Sequence, residues 1–188
     1  MKPTIAVEVS RSLLVFLLSF GLVCLFGGAD DAVSQASGPV KQPVVAALPE
    51  ALFIMYPPQN AIDIIVARQT AEQGKPIVVR GRVGGAPAPI SDNRAIFLVS
   101  DFQLPLCNPA CGCPTPWDAC CQPRDMIMAN VATIQIADSA GRPLKANLKC
   151  VHGLSPMAEV VVKGTVARKD RSSLLVNAQH IYVKPSPQ

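Results

Sequence analysis

Two stretches of the chain repeat one short phrase, and this repetition constrains the fold more than any other feature of the sequence. Val78 to Val83 reads VVRGRV, and Val161 to Val166 reads VVKGTV. Apolar residues alternate with basic or polar ones, which is the period-two pattern of a half-buried strand. A glycine inside a strand often marks a sharp bend or a close approach of another backbone. The pair therefore predicts two bent strands of a small closed barrel.

Three further segments have the composition of strands and lie between or after the two phrases. They read AIFLVSD at 95–101, VATIQIAD at 131–138 and LLVNAQHIYVK at 174–184. Such runs of β-branched and aromatic residues, bounded by turn residues, favour strands. A hairpin turn is expected at Asp138 to Arg142. The chain therefore predicts about five strands.

One short helix is predicted ahead of the first strand. Ile62, Ile65, Val66 and Gln69 fall at the i, i+3, i+4 and i+7 spacing of an amphipathic helix. We expect this helix over residues 61–73, with Asn60 as its N-cap, Asp63 in its first turn and Gly74 at its end.

The segments GKPIVVRGRV, AIFLVSD, VATIQIAD, AEVVVKGTV and LLVNAQHIYV resemble the five strands of an OB-fold, a Greek-key β-barrel. The resemblance covers about residues 75–184, and it implies an all-β domain with one short helix over 59–188. Arg142 to Pro156, between the third and fourth strands, has no helical pattern. This absence is closer to helix-less OB-folds of exported bacterial proteins, and PWDACC at Pro116 to Cys121 is also similar to a phrase in uncharacterised proteins of that kind.

A cysteine-rich insert, 103–130, is predicted between the second and third strands. Its central stretch reads CNPACGCPTPWDACC and contains the only tryptophan, Trp117. Six cysteines lie beyond the N-terminal segment, namely Cys107, Cys111, Cys113, Cys120, Cys121 and Cys150. An even number of cysteines in an exported domain favours disulfides, in a pattern that the sequence leaves open. Adjacent cysteines pair poorly with each other, and Cys150 could tie the insert to the barrel.

The same cysteines are open to a second interpretation, which is a metal site or a redox-active group of thiols. The spacing Cys-x3-Cys-x-Cys followed by Cys-Cys supplies thiolates, and Cys150-Val-His152 supplies another thiolate and an imidazole. Soft ligands of this kind suit zinc, copper(I) or an iron–sulfur cluster. The spacing differs from the paired Cys-x2-Cys of a zinc ribbon. Trp117 is expected to pack over a disulfide, or alternatively to stack on a ligand.

The N-terminal segment has the three parts of a secretory signal peptide. Residues 1–29 contain basic residues, an apolar run from Ser12 to Phe26, and small residues that allow cleavage after Ala29. An uncleaved membrane anchor and a lipoprotein modified at Cys24 are the alternatives. Residues 30–58 are rich in proline and alanine and predict a flexible linker. We therefore expect an exported, periplasmic or extracellular protein that meets the membrane only through its leader.

The OB-fold resemblance implies a ligand face on the second and third strands, bordered by the loops 84–93 and 169–173. Basic residues near this face are candidate ligands for a small anion, and Trp117 is a candidate for stacking. These basic residues are Arg80, Arg82, Lys163, Arg168, Lys169 and Arg171. The alternative interpretation is an ordinary solvated strand face.

Composition and motifs disfavour other classes of function. A net charge of +4 and 5% aromatic residues are too low for a typical nucleic-acid binder. The sequence has no Ser/His/Asp set, no close pair of carboxylates and no glycine-rich phosphate loop, so an enzyme is not expected. The sequence therefore predicts an exported binding module stapled by disulfides, without a cofactor, for an unknown protein or small anionic ligand. The alternative is a metal-binding or redox protein.

Overall fold

The two glycine-containing phrases lie side by side in the computed structural model, as antiparallel neighbours. The structure describes residues 47–108, 110 and 112–185. The helices and strands within these residues are β1 (Ile62–Asp63), α1 (Ile64–Thr70), β2 (Pro76–Val83), β3 (Ile96–Ser100), α2 (Arg124–Asn130), β4 (Val131–Gln135), β5 (Glu159–Lys169) and β6 (Leu174–Val183).

Five of the strands close into a barrel. The order of hydrogen-bonded neighbours is β2-β3-β4-β6-β5, and β5 pairs again with β2. All of these pairs are antiparallel except β4 with β6, which is parallel. The short β1 adds a sixth strand beside β2, in parallel. The predicted fold class, a mostly β protein with a closed five-stranded OB-like barrel, is therefore confirmed.

The core fills the inside of this barrel. Along β2 the side chains alternate, with Ile77, Val79 and Val83 buried and the basic residues between them turned outward. Residues from every strand of the barrel meet them, and α1 covers the core with Ile64 and Ala67. The largest fully buried side chains of the strands and α1 include Phe97, Ile134, Leu174, Ile181, Ile64 and Val79. Burying each side chain of this size contributes about 1.5–3 kcal/mol.

Gly81 and Gly164 lie where two backbones come too close for a side chain. A Cβ atom at Gly81 would collide with the carbonyl oxygen of Ser100, and one at Gly164 with the carbonyl oxygen of Asn177. Gly164 also adjoins a shift in the register between β5 and β6. These glycines therefore mark close approaches of neighbouring strands, as the repeated phrase predicts.

Helix α1 is shorter than predicted, and its start differs. The backbone of Ile62–Asp63 is extended because it pairs with β2, so the helix begins only at Ile64. The Asp63 carboxylate makes no capping hydrogen bond and instead lies 2.6 Å from Nε of Arg80. The fully buried Asp101 accepts a hydrogen bond of 2.8 Å from the backbone N–H of Ile65. Asp101, which is distant in sequence, therefore provides the hydrogen-bond acceptor at the start of this helix.

The connections between the strands agree with the sequence prediction in two places and differ from it in one. Arg142 to Pro156 contains a 3-10 turn at Val151–Gly153 and no α-helix, as its sequence indicates. The predicted hairpin turn is present, with Ala137 bridged to Pro143. Helix α2, at the end of the cysteine insert, was not predicted. Its single stretch of seven residues is too short to display a helical period.

The predicted signal peptide, 1–29, and the linker residues 30–46 lie outside the described residues. The following residues pack on the domain, because Leu52 is buried and its carbonyl accepts a hydrogen bond from the N–H of Ile181 in β6, while the N–H of Ile54 donates to the carbonyl of Ile181. The described residues all belong to one compact unit, Gln42–Gln188. Neither helix in the described part of the chain is long and apolar enough to cross a membrane.

Candidate metal centre

Four cysteine sulfurs of the insert converge on one point. The Sγ atoms of Cys107, Cys113, Cys120 and Cys121 all lie within 4.8 Å of one another. The Sγ of Cys120 lies 3.4 Å from that of Cys107 and 3.3 Å from that of Cys113. The Sγ of Cys121 lies 3.9 Å from those of Cys113 and Cys120. Four thiolates that bind one zinc ion tetrahedrally, at about 2.3 Å each, stand about 3.8 Å apart. The sulfur cluster therefore has the dimensions of a single-ion site.

The insert holds Cys107 in place from both sides. Leu104, three residues before Cys107, is buried in the protein, and Nη2 of Arg82 donates hydrogen bonds to the carbonyls of Phe102, at 3.1 Å, and Leu104, at 3.4 Å. The backbone N–H of Cys107 donates to the carbonyl of Asp118 at 2.6 Å. This bond joins the two arms of the insert and brings Cys107 opposite Cys120.

Trp117 attaches the insert to the connection between β2 and β3. Its indole Nε1–H donates to the carbonyl of Pro87 at 2.9 Å, and its own carbonyl accepts from the N–H of Gly85 at 2.8 Å. A side chain at Gly84 would collide with that carbonyl, since a Cβ there would lie 2.8 Å from the oxygen. Trp117 therefore anchors the insert to the barrel, and its expected role over a disulfide or a ligand stays a prediction.

The protonation of the cluster is uneven. Desolvation opposes a charge on Cys107, but hydrogen bonds from the thiols of Cys120 and Cys113 and from the backbone N–H groups of Cys121 and Cys120 outweigh it and lower the pKa of Cys107. Hydrogen bonds that Cys113 donates to Cys120 and Cys107 raise the pKa of Cys113 far above its ordinary value. Hydrogen bonds within the cluster therefore favour the thiolate of Cys107 over that of Cys113.

The structure groups only some of the predicted cysteines. Cys150 and His152 do not belong to the four-sulfur cluster, and the ring of His152 stacks on Phe53 with 4.6 Å between ring centroids. Cys111 lies outside the described residues. Among the cysteines that the structure describes, no two sulfurs approach the separation of about 2.05 Å that a disulfide requires.

The predicted basic residues fall into two groups on the barrel. Arg80 and Lys163 project outward from the paired strands β2 and β5, with Arg80 opposite Val161. Arg168 lies seven residues beyond Val161 along β5, which places it about 23 Å from the position opposite Arg80. Lys169 and Arg171 also lie at that far end, in contact with α1.

At that end Nε of Arg168 lies 3.5 Å from the carboxylate of Asp170, and Lys169 and Arg171 make contacts that involve the backbone. The Nζ of Lys169 donates to the carbonyl of Gln69 at 2.9 Å, and Arg68 donates to the carbonyl of Arg171 at 2.8 Å. Arg82 supports the cysteine insert, as described above. The structure therefore does not gather these residues around one site, and their role in binding an anion stays a prediction.

Comparison with known proteins identifies no relative of this chain. No family model matches the chain, and no curated protein or solved structure matches it. The closed barrel is compatible with an OB-like fold, whereas the narrower resemblance to exported bacterial proteins with a PWDxCC phrase stays a prediction.

Several supporting residues of the centre were not predicted from the sequence. The sequence indicates Arg82 only as a candidate ligand residue, and it gives no signal for the roles of Leu104 and the Asp118 carbonyl. A pair of glycines in the β2–β3 connection, Gly84 and Gly85, was the only local signal that another backbone packs there.

Proposed function

We propose that this protein binds one thiophilic metal ion, zinc or copper(I), through Cys107, Cys113, Cys120 and Cys121. The convergence of their four sulfurs within 4.8 Å is the observation that supports the proposal most. Thiolates are soft ligands that select zinc and copper(I) over magnesium or calcium. A bound cation would replace the thiol protons, because only the thiolate is a metal ligand.

The spacing favours a single ion over an iron–sulfur cluster. In an iron–sulfur cluster an inorganic core of iron and sulfide stands between the protein thiolates. Sulfurs that lie 3.3 Å and 3.4 Å from Cys120 leave no room for such a core. The proposal therefore selects zinc or copper(I) among the metals that the sequence suggests.

Disulfide formation is the competing fate of the same thiols. Export through the predicted leader would bring the chain into an oxidising compartment, where cysteines pair. Cys120 would be the first candidate, because its sulfur lies 3.3 Å from that of Cys113 and 3.4 Å from that of Cys107. A metal ion bound by the thiolates would protect them from this oxidation.

The test measures metal and thiols on one preparation of the full chain. Reduced protein is given an excess of zinc, or of copper(I) without oxygen, and is freed of unbound metal before elemental analysis. We expect about one equivalent of metal, because the four thiolates complete one coordination sphere. Cobalt(II) in place of zinc should show the visible absorption of a tetrahedral thiolate site.

Matched cysteine variants locate the site. Cys107→Ser should lose most of the bound metal, whereas Cys150→Ser should keep about one equivalent, since Cys150 lies outside the cluster. Less than about a tenth of an equivalent in the reduced wild-type protein would refute the proposal. Disulfides in that protein before reduction would then support the stapled binding module.

A further inference from the structure

The four thiols of the candidate metal centre differ sharply in their exposure to solvent. Cys107 is 6% exposed and lies inside the insert. Cys113 is half-buried, and Cys120 and Cys121 are exposed. The centre therefore has one protected ligand and an open side formed by the two adjacent cysteines.

The buried side, at Cys107, and the open side, at Cys120 and Cys121, are also fixed to the rest of the protein in different ways. The buried side follows Leu104, which is fully buried and whose carbonyl accepts from Arg82. The open side lies in a tight turn, in which the N–H of Gln122 donates to the carbonyl of Ala119 at 2.9 Å. The exposed Pro123 follows, and α2 begins at the exposed Arg124. A molecule from solution would therefore meet Cys120 and Cys121 first.

Exposure decides how a bound ion leaves a thiolate site. In a structural zinc site four protein ligands complete the coordination sphere, so an incoming ligand has to displace one of them. Ligands buried in the protein prevent that displacement, whereas exposed ligands permit it. At an open site an incoming thiolate can bind the ion before the protein thiolates let go, so no bare ion is formed. Exchange then occurs stepwise, with the exposed ligands displaced first.

We propose that this centre is an exchange site, which takes up one zinc or copper(I) ion and passes it to a thiolate-bearing acceptor. This inference rests on the proposed function, and it adds that the ion is cargo rather than a permanent staple. In the transfer, each metal–sulfur bond that Cys120, Cys121, Cys113 and finally Cys107 gives up is replaced by one to the acceptor. The released thiolates take up protons from solvent, and the oxidation state of the metal does not change.

The test follows how fast a chelator removes the ion from the loaded full chain. The chelator is 4-(2-pyridylazo)resorcinol for the zinc-loaded protein and bathocuproine disulfonate for the copper(I)-loaded protein, and both report the transfer by colour. At an open site, the rate of transfer should rise in proportion to chelator concentration, because the chelator enters before the protein ligands leave. The two arms also show which of the two ions the site exchanges.

A structural centre would give a different result. Its release rate would be slow and independent of chelator concentration, and removal of the ion would lower the melting temperature of the barrel. That result, with about one bound equivalent, would overturn the exchange role and leave the proposed metal binding intact. A reduced protein that binds no metal would refute both the exchange role and the proposed metal binding.

Variants separate the open side from the buried side. Cys121→Ser should retain metal more weakly but still exchange it in proportion to chelator concentration. Cys107→Ser should lose affinity more strongly, because it removes the anchored ligand. Cys150→Ser is the matched control and should exchange like the wild-type protein. Equal losses of affinity at Cys107 and Cys121 would contradict the division into an anchor and an open side.

Discussion

The substitution Gly164→Ala tests the close approach of β5 and β6, on which closure of the barrel depends. The added Cβ would collide with the carbonyl oxygen of Asn177 and would lie 3.0 Å from Cγ1 of Val176. The first obstacle is backbone, so it cannot rotate away as a side chain can. The two strands must separate locally, which weakens their hydrogen bonds.

The expected cost follows from these contacts. Overpacking in a tight site costs about 1–3 kcal/mol, and one weakened ladder hydrogen bond adds about 1 kcal/mol. Alanine recovers about 0.4–1 kcal/mol by restricting the unfolded chain. We therefore expect the free energy of unfolding to fall by about 2–3 kcal/mol, a large part of the 5–15 kcal/mol typical of a domain. The melting temperature should fall by about 5–10 °C.

Urea unfolding, followed by circular dichroism and by the fluorescence of Trp117, measures this loss. Lys163→Ala is the matched control, because Lys163 is the exposed neighbour of Gly164 on the same strand. The control should stay within about 0.5 kcal/mol of the wild-type protein. A Gly164→Ala variant as stable as this control would refute the close approach and the reason given for the glycine.

Three further outcomes follow from other contacts. Asp101→Ala should lower the free energy of unfolding by about 2–3 kcal/mol, because two backbone N–H groups lose a buried acceptor; a loss under about 0.5 kcal/mol in urea unfolding would contradict this role. Hydrogen bonds from Ser172 and Ser173 lower the pKa of Asp170 to about 2. The stability that these hydrogen bonds contribute is therefore fully present above about pH 4, the pKa of Asp170 in the unfolded chain. It is lost as the pH falls toward 2, the pKa of Asp170 in the folded protein. Urea unfolding at several pH values should show the difference between wild type and Asp170→Asn shrinking over that window, and a constant difference would exclude the assignment. Trp117→Phe should speed amide exchange at the N–H of Gly85 by several-fold while the strands stay protected, since it removes a hydrogen bond of about 1 kcal/mol; unchanged exchange would show that the indole does not anchor the insert.

The strands of the barrel could be predicted because their pattern is local. In β2, alternation of apolar residues with arginines specifies which side chains face inward, and a one-residue shift would turn the buried Ile77, Val79 and Val83 to solvent. The β-branched composition of β6 is a signal of the same kind. Helix α2 lacks such a signal because it is only seven residues long. The start of α1 was misplaced because pairing with β2 overrides the local capping pattern there.

The candidate metal centre could be predicted only in its composition. The sequence shows that the insert is rich in thiols, and both disulfides and a metal site follow from that richness. It cannot show that Cys107 lies 3.4 Å from Cys120 while Cys150 lies outside the cluster. Those positions depend on contacts between residues distant along the chain, among them Arg82 with the carbonyl of Leu104.

The sequence by itself therefore determined the class of fold, through periodic burial and two glycines that allow strands to approach. The tertiary structure alone decided which thiols meet and which of them face solvent. Hydrophobic periodicity is written in neighbouring residues, whereas the convergence of four sulfurs within 4.8 Å requires the barrel to hold both arms of the insert. Exposure is likewise a property of the packed chain, and it separates the buried Cys107 from the exposed Cys120 and Cys121.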